Sequence, residues 1–421
     1  MSAMLAPTPP MGWNSWNSFA TTLDETQALE TAHIMAEKLL PFGYEYFTID
    51  AQWFEPAASG YTYSTKPQVV MDEWGRLTPT LNRFPSAANG VGLAEIGRRV
   101  HALGLKFGLH QMRGIPRLAV ERNLPVLGTN VRAGDIADTT SICSWNPDMY
   151  GIDMRKPGAQ AYYDSVFALF ASWGVDLVKV DDMSRPYDAH APEIEAVHAA
   201  IAKTGRPMIL SLSPGETPVI RADHVSRYAQ MWRISDDFWD EWPQLEAQFV
   251  RLENWNPVRR EGAWPDPDML PLGRISLGTR DSRFTPDEQR SVMTLWAITR
   301  SPLIMGGDLR HLNAATLALL TNREVIEVDQ HSTDNRPHFE EDRTRLWSAR
   351  DPKTDDRYLA LFNTGAKEKE VGLPLDRLGL KSIAGVRDLW SGTDMAPPSQ
   401  PRVSVLLPPH GSALLRLKVR A

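Results

Sequence analysis

One unit recurs through the first three quarters of the sequence. An amphipathic helical stretch ends at a glycine, and a short apolar run follows and stops at acidic or polar residues. In the first copy, Thr22 to Leu40 carries Ala28, Leu29, Ala32, Met35, Ala36 and Leu39 at helical spacing, and Thr22 with Glu25 reads as a capping box. Gly43 suits the left-handed position after a helix, and Tyr44 to Ile49 then runs as strand into Asp50. The pattern returns as Leu93–Leu103, Gly104 and Lys106–Met112, and again as Ala159–Trp173, Gly174 and Val175–Val180 before Asp181 and Asp182. Ile194–Lys203 pairs with Met208–Ser213. Met231–Ser235, Trp264–Met269 and Pro302–Met305 supply further strands.

Apolar strands alternating with helices require a parallel sheet covered on its faces. With an opening segment at Gly12 to Trp16, eight strands fit within about 300 residues, the usual span of an α/β (β/α)8 TIM barrel. The competing doubly wound sheet would carry a glycine-rich phosphate turn, and Gly90-Val91-Gly92 lacks the third glycine. The barrel is the expected fold. From about residue 332 the texture changes to short β-rich runs: Arg345–Ala349, Arg357–Asn363, Val386–Trp390, Arg402–Leu407 and Ser412–Val419. These predict a C-terminal antiparallel β-sandwich, giving a catalytic barrel over 1–330 and a sandwich domain over 331–421.

Reactive side chains of a parallel barrel collect at the C-terminal ends of its strands. Five strands here finish on carboxylates: Asp50, Asp181 with Asp182, Asp236 with Asp237, Asp266 with Asp268, and Asp308. Helix capping accounts for Asp308 and one member of each doublet. Five converging acids must be offset or used, and Lys179 and Arg233 stand two and four residues before Asp181 and Asp237, on the same strand face. Paired carboxylates, flanking cations and 14 tryptophans together point to glycosidic bond chemistry. Metal hydrolysis is the main rival, but no H-x-H or H-x-x-x-H pair occurs, and only His110 lies at a strand end. No G-x-S-x-G elbow is present, and Cys143, the single cysteine, excludes an internal disulfide. A net charge of −7 argues against nucleic acid or an anionic membrane as partner. Without a basic segment and apolar core at its start, the chain is expected in the cytoplasm, with the periplasm as the alternative for a trimmed chain.

At these strand ends the sequence resembles glycoside hydrolase family 27, the α-galactosidase or melibiase family. Pro9-Pro10-Met11-Gly12-Trp13-Asn14-Ser15-Trp16-Asn17 is similar to its N-terminal signature, and Trp173 to Asp181 to its nucleophile strand. Trp232-Arg233 through Asp237 resembles the acid/base strand, and Asp266-Pro267-Asp268-Met269-Leu270 another motif. The resemblance continues through Trp296 to Asp308 and the C-terminal sandwich, and so covers the chain in order. It implies a retaining, exo-acting hydrolase of terminal α-linked galactose-like sugars, working without cofactor or metal. Asp181 would be the nucleophile and Asp237 the acid/base, with carboxyls about 5–5.5 Å apart. Asp181 must stay ionised, and Asp237 must hold a proton, which burial or a negative neighbour such as Asp236 would favour. Trp16, Asp50, Lys179, Arg233 and Asp268 match the family's sugar-binding positions.

Three strand ends depart from the family pattern. Where two acids usually follow the second strand, this chain has Asp50-Ala51, then Gln52 and Trp53. His110 stands where tyrosine is common. Ser211-Leu212-Ser213-Pro214-Gly215 replaces a Cys-Glu-Trp run, and Ser213 resembles the small residue that admits a 2-acetamido group. The segment from Arg113 to Pro157 is long, and is expected to bring Arg113, Arg117, Trp145 and Tyr150 over the pocket unless it is a plain surface loop. The sugar therefore stays open among galactose, N-acetylgalactosamine, L-arabinopyranose, a glucose unit as in isomaltodextranases, or a uronic acid paired with Arg113. A barrel that binds glycans without cutting them, and a transglycosylase, are the other readings.

Overall fold

The computed structural model describes residues 4–419. Eight parallel strands form one sheet: β1 (Met11–Asn14), β2 (Tyr46–Ile49), β3 (Lys106–Met112), β4 (Leu177–Asp181), β5 (Ile209–Leu212), β6 (Met231–Arg233), β7 (Trp264–Asp266) and β8 (Leu303–Met305). Their spatial order runs β7-β6-β5-β4-β3-β2-β1-β8. Beyond β7, Leu270 bridges in parallel to Met305, and its amide donates to the Ile304 carbonyl at 2.7 Å, so the two ends of the sheet meet. The expected (β/α)8 barrel is the observed fold, and every predicted strand is present within a few residues.

Local chemistry explains most boundaries. The first long helix spans Glu25–Lys38 and is capped by Asp24 with Gln27, not by Thr22 with Glu25. Thr22 instead donates to the Phe19 carbonyl, and Glu25 accepts from the Ser86 amide, so both expected partners are engaged elsewhere. Gly43, Gly104 and Gly174 each adopt positive φ where a helical segment hands over to a strand. Gly12 has a different reason: a Cβ there would run into the Tyr46 carbonyl of β2.

The sandwich contains a six-stranded antiparallel sheet and a two-stranded ribbon, Lys369–Pro374 with Arg402–Leu407. Its Arg357–Asn363, Arg402–Leu407 and Ser412–Val419 strands lie where the sequence places them. Three strands were not legible: Thr333–Glu341, Lys369–Pro374 and Thr393–Met395. The first two carry charges with Pro or Gly and sit on sheet edges, where such residues are tolerated.

One apolar core crosses between the domains, joining Phe249 and Trp296 of the barrel to Trp347, Phe362 and Leu414 of the sandwich. The helix Pro286–Thr299 is buried continuously from Ser291 to Thr299 against this face. Polar pins complete the contact. Ser291 donates to the His410 carbonyl at 2.6 Å, and the His410 ring lies flat on Trp242 with centroids 3.7 Å apart.

Candidate active site

The strand ends open into a cavity of about 710 Å³ lined by Trp16, Tyr61, Tyr63, Lys179, Asp181 and Asp237, among others. Asp181 is the last residue of β4, and Lys179 lies two residues earlier on the same face, its ammonium 3.7 Å from Asp181. The same ammonium is 2.8 Å from Asp50, which also accepts from Asn14 at 2.7 Å. His110 approaches from β3, with Nε2 3.0 Å from Asp181. Burial would raise the pKa of Asp181, but the charges of Lys179 and His110, the His110 contact and Arg233 outweigh it and hold the carboxyl far below the ordinary range. Asp50 is lowered for the same reason: burial is overcome by Lys179 and His110. The arrangement keeps Asp181 ionised, as a nucleophile requires.

Asp50, His110 and Asp181 offer ligand atoms within 4.8 Å of one another, a set that suits a divalent cation in donor type. Lys179 already places a positive charge on two of the three, so this cluster is compensated by the chain itself.

On the other side, β6 ends at Arg233, so Asp237 lies in the following loop and not on the strand, as the spacing had implied. Arg233 reaches it nonetheless, at 3.3 Å, and binds Asp268 at 2.8 Å. Asp268 also accepts from the Phe238 amide at 2.7 Å and so pins the backbone next to Asp237. The Asp237 side chain is 40% exposed, and Asp236 is turned outward to Arg185 at 2.8 Å. The burial expected around Asp237 is therefore absent from the open cavity. Trp16 Nε1 and Asp181 Oδ1 are buried without a hydrogen-bond partner, leaving a donor and an acceptor on residues that line the cavity.

Other expected positions fall differently. Ser213 is buried, 3.4 Å from Arg233, and with Lys179, Arg233 and Asp268 lines a second, smaller void. Ala51 belongs to an apolar cluster with Trp16, Ala20 and Tyr46. Arg113 does not overhang the pocket: it is buried, paired with Asp182 at 2.8 Å and with Glu193, and the uronic acid pairing loses its cation. Arg117 and Tyr150 stack on each other within the long segment, whereas Trp145 does line the cavity. Asp308 is the helix cap anticipated for it, accepting from the Arg310 amide at 3.0 Å.

Sequence reasoning missed Tyr61, Tyr63 and Trp239. Tyr63 stacks on Trp16 with centroids 6.3 Å apart and meets Trp145 at 5.6 Å, and Tyr61 meets Trp239 at 5.4 Å. Burial and then the charges of Asp181, Asp50 and Asp237 push the Tyr63 hydroxyl well up from its ordinary value, so it stands neutral among the site's acids. Tyr61 and Tyr63, alternating in a turn-rich loop after β2, were the available signal.

Asp148, from the long segment, is also buried beside the site, accepting from the side chain of Gln52. Burial pushes its carboxyl up to about 6, against the opposing bonds from Gln52 and Asn146. A raised carboxyl pKa means that stability is lost as pH climbs from about 3.8 to about 6, because the fold must then hold a buried charge. Asp148→Asn removes that charge. Its stability relative to wild type is expected to improve by about 2–3 kcal/mol between pH 4 and pH 7, read by urea unfolding at both values. A difference that does not change with pH would refute this.

Comparison with known proteins agrees with the geometry. Residues 150–331 match the family model described as alpha galactosidase A, and residues 341–417 match its C-terminal beta sandwich domain. A β-L-arabinopyranosidase of glycoside hydrolase family 27 from Geobacillus stearothermophilus is 47% identical, with a TM-score of 0.96 over 98% of this chain and 97% of that one. A putative α-N-acetylgalactosaminidase from Bacillus halodurans is 43% identical, with a TM-score of 0.88 over 98% and 97%. Alpha-galactosidase 2 of Arabidopsis thaliana is 27% identical, over 100% of this chain and 92% of the relative.

Proposed function

The chain belongs to glycoside hydrolase family 27, and on that premise we propose that it is a retaining β-L-arabinopyranosidase using Asp181 and Asp237. As a glycoside hydrolase it takes a carbohydrate substrate. β-L-Arabinopyranose has the ring configuration of α-D-galactose without the exocyclic hydroxymethyl group, so the choice turns on what the pocket offers that group.

Ala51 carries the argument. Family members usually have a second carboxylate there to accept from sugar hydroxyls, and this chain has a methyl group within an apolar cluster. A buried hydroxyl without a partner costs about 1–3 kcal/mol, which disfavours a sugar bearing one. The naming of the Geobacillus relative supports the same reading.

In this mechanism the Asp181 carboxylate attacks the anomeric carbon while Asp237 protonates the departing oxygen. Asp237 then takes a proton from water as that water attacks the glycosyl-enzyme. Lys179 and Asp50 bind ring hydroxyls, as do Arg233 and Asp268, and Trp16 covers an apolar ring face. His110, with Nε2 3.0 Å from Asp181, orients it. The proposed domain boundary at residues 330/331 lies within one or two residues of the change of architecture, where a barrel helix ends at His331 and a strand starts at Thr333. Initial rates on 4-nitrophenyl β-L-arabinopyranoside, α-D-galactopyranoside, α-N-acetylgalactosaminide and α-glucoside test the proposal. The arabinopyranoside is expected to lead the galactoside by about tenfold or more in kcat/KM. A leading galactoside would overturn the sugar assignment.

A further inference from the structure

Part of the cavity wall, Ile142, Ser144 and Trp145, comes from a segment that the proposed chemistry does not use. Within the long stretch after β3, Ala137–Ile142 and Met149–Ile152 pair antiparallel, and Ile115–Pro116 adds a third strand. The hairpin tip delivers Ile142 and Trp145 to the cavity mouth, where they stay 55% and 38% exposed. Exposed large apolar side chains gathered at a pocket rim mark a binding surface more often than chance exposure. An aromatic path runs from the base of the site to this rim, Trp16 to Tyr63 to Trp145.

Trp239, Pro186 and Pro214 line the same cavity. Arg185 and Asp236 face each other here at 2.8 Å as an exposed pair, and Asp182 is held by Arg113. Ser144 and His190 also line the cavity, but Ile142, Trp145, Trp239, Pro186 and Pro214 give an apolar ring the larger surface to pack on. Asp237 lines the same cavity, so a leaving oxygen protonated by it emerges on this side. The volume, about 710 Å³, matches sites that hold a drug-sized molecule.

We propose that the inserted hairpin, together with Trp239, forms a leaving-group subsite for an apolar, ring-containing alcohol. The proposal rests on the glycosidase reading above and adds the chemical class of the group released. The glycosidic carbon–oxygen bond breaks, Asp237 gives its proton to that oxygen, and the neutral alcohol departs over Trp145 and Ile142.

Three glycosides of the preferred sugar test it, with leaving alcohols of similar acidity: methyl, cyclohexylmethyl, and a disaccharide. In wild type, kcat/KM for the cyclohexylmethyl glycoside is expected to exceed both others by about tenfold or more. Ile142→Ser should keep the methyl rate within about twofold while losing most of that advantage, and Trp145→Ala should lose it as well. Equal rates for methyl and cyclohexylmethyl glycosides, or a leading disaccharide, would overturn the subsite and leave the glycosidase reading standing. No turnover of any glycoside would defeat that reading, and the subsite with it. Light scattering on wild type and Ile142→Ser covers the remaining occupant. An oligomer that the variant dissociates, with leaving-group preference unchanged, would make the hairpin a contact between copies and overturn the proposal.

Discussion

Asp181→Ala is expected to lower kcat by about 10⁴-fold or more while leaving the protein folded, because it removes the proposed nucleophile and leaves the rest of the pocket in place. Because Lys179 and His110 outweigh the burial of this carboxylate, its removal should cost some stability at neutral pH without unfolding the chain. Added azide should restore turnover of an aryl glycoside and yield a glycosyl azide of opposite anomeric configuration to the substrate, whereas wild type should release sugar of retained configuration. Product configuration by NMR decides the matter. Substantial azide-independent activity in the variant, or inversion by wild type, would remove Asp181 from the nucleophile's role.

Lys179→Met should strike both fold and rate. One largely buried ammonium at the base of the cavity serves Asp50 at 2.8 Å and Asp181 at 3.7 Å. Burial works against its charge, but Asp181, Asp50 and Asp237 raise its pKa well above the ordinary value, so it stays cationic. Removing it leaves buried carboxylates short of a counter-charge, at an expected cost of about 3–5 kcal/mol in unfolding free energy. Whatever folds should show kcat reduced by about 10²–10³, since Asp181 then holds its proton to higher pH. The acid limb of the rate profile should move upward by at least one unit. An unmoved acid limb and unchanged unfolding midpoint would show that Lys179 does not set the state of Asp181.

What the sequence made legible follows from how locally each feature is encoded. The barrel strands are continuous apolar runs next to glycine punctuation, and Lys106–Met112 could be bounded to the residue. The Lys179–Asp181 pairing was equally readable, because residues two apart on a strand must share a face. Arg233 and Asp237 did not follow that rule, since the strand stops at Arg233 and a loop carries the acid back. His110 could be placed at a strand end, but its contact with Asp181 depends on the register between β3 and β4, which pairs His110 with Lys179. Arg113 looked free in sequence and is consumed by Asp182 and Glu193, partners 69 and 80 residues away. Tyr63 and Trp239 escaped notice because loop aromatics carry no periodicity, and only the folded chain brings them against Trp16 and Tyr61 in the cavity that holds the acids.

The shared core has a consequence for how such a chain can be cut, swapped or inherited. His410, from the far domain, lies on Trp242, the first residue of the helix that follows the Asp237 loop, and Glu288 holds the same ring at 2.7 Å. A barrel severed near residue 331 would bare Trp242, Phe249 and the helix Pro286–Thr299 to solvent, and would free the helix against which the acid's loop is braced. The sandwich is thus a buttress and not a passenger module, and the two parts form one mechanical piece. Transplanting the catalytic half alone would move the carboxylates without the scaffold that keeps one of them aimed.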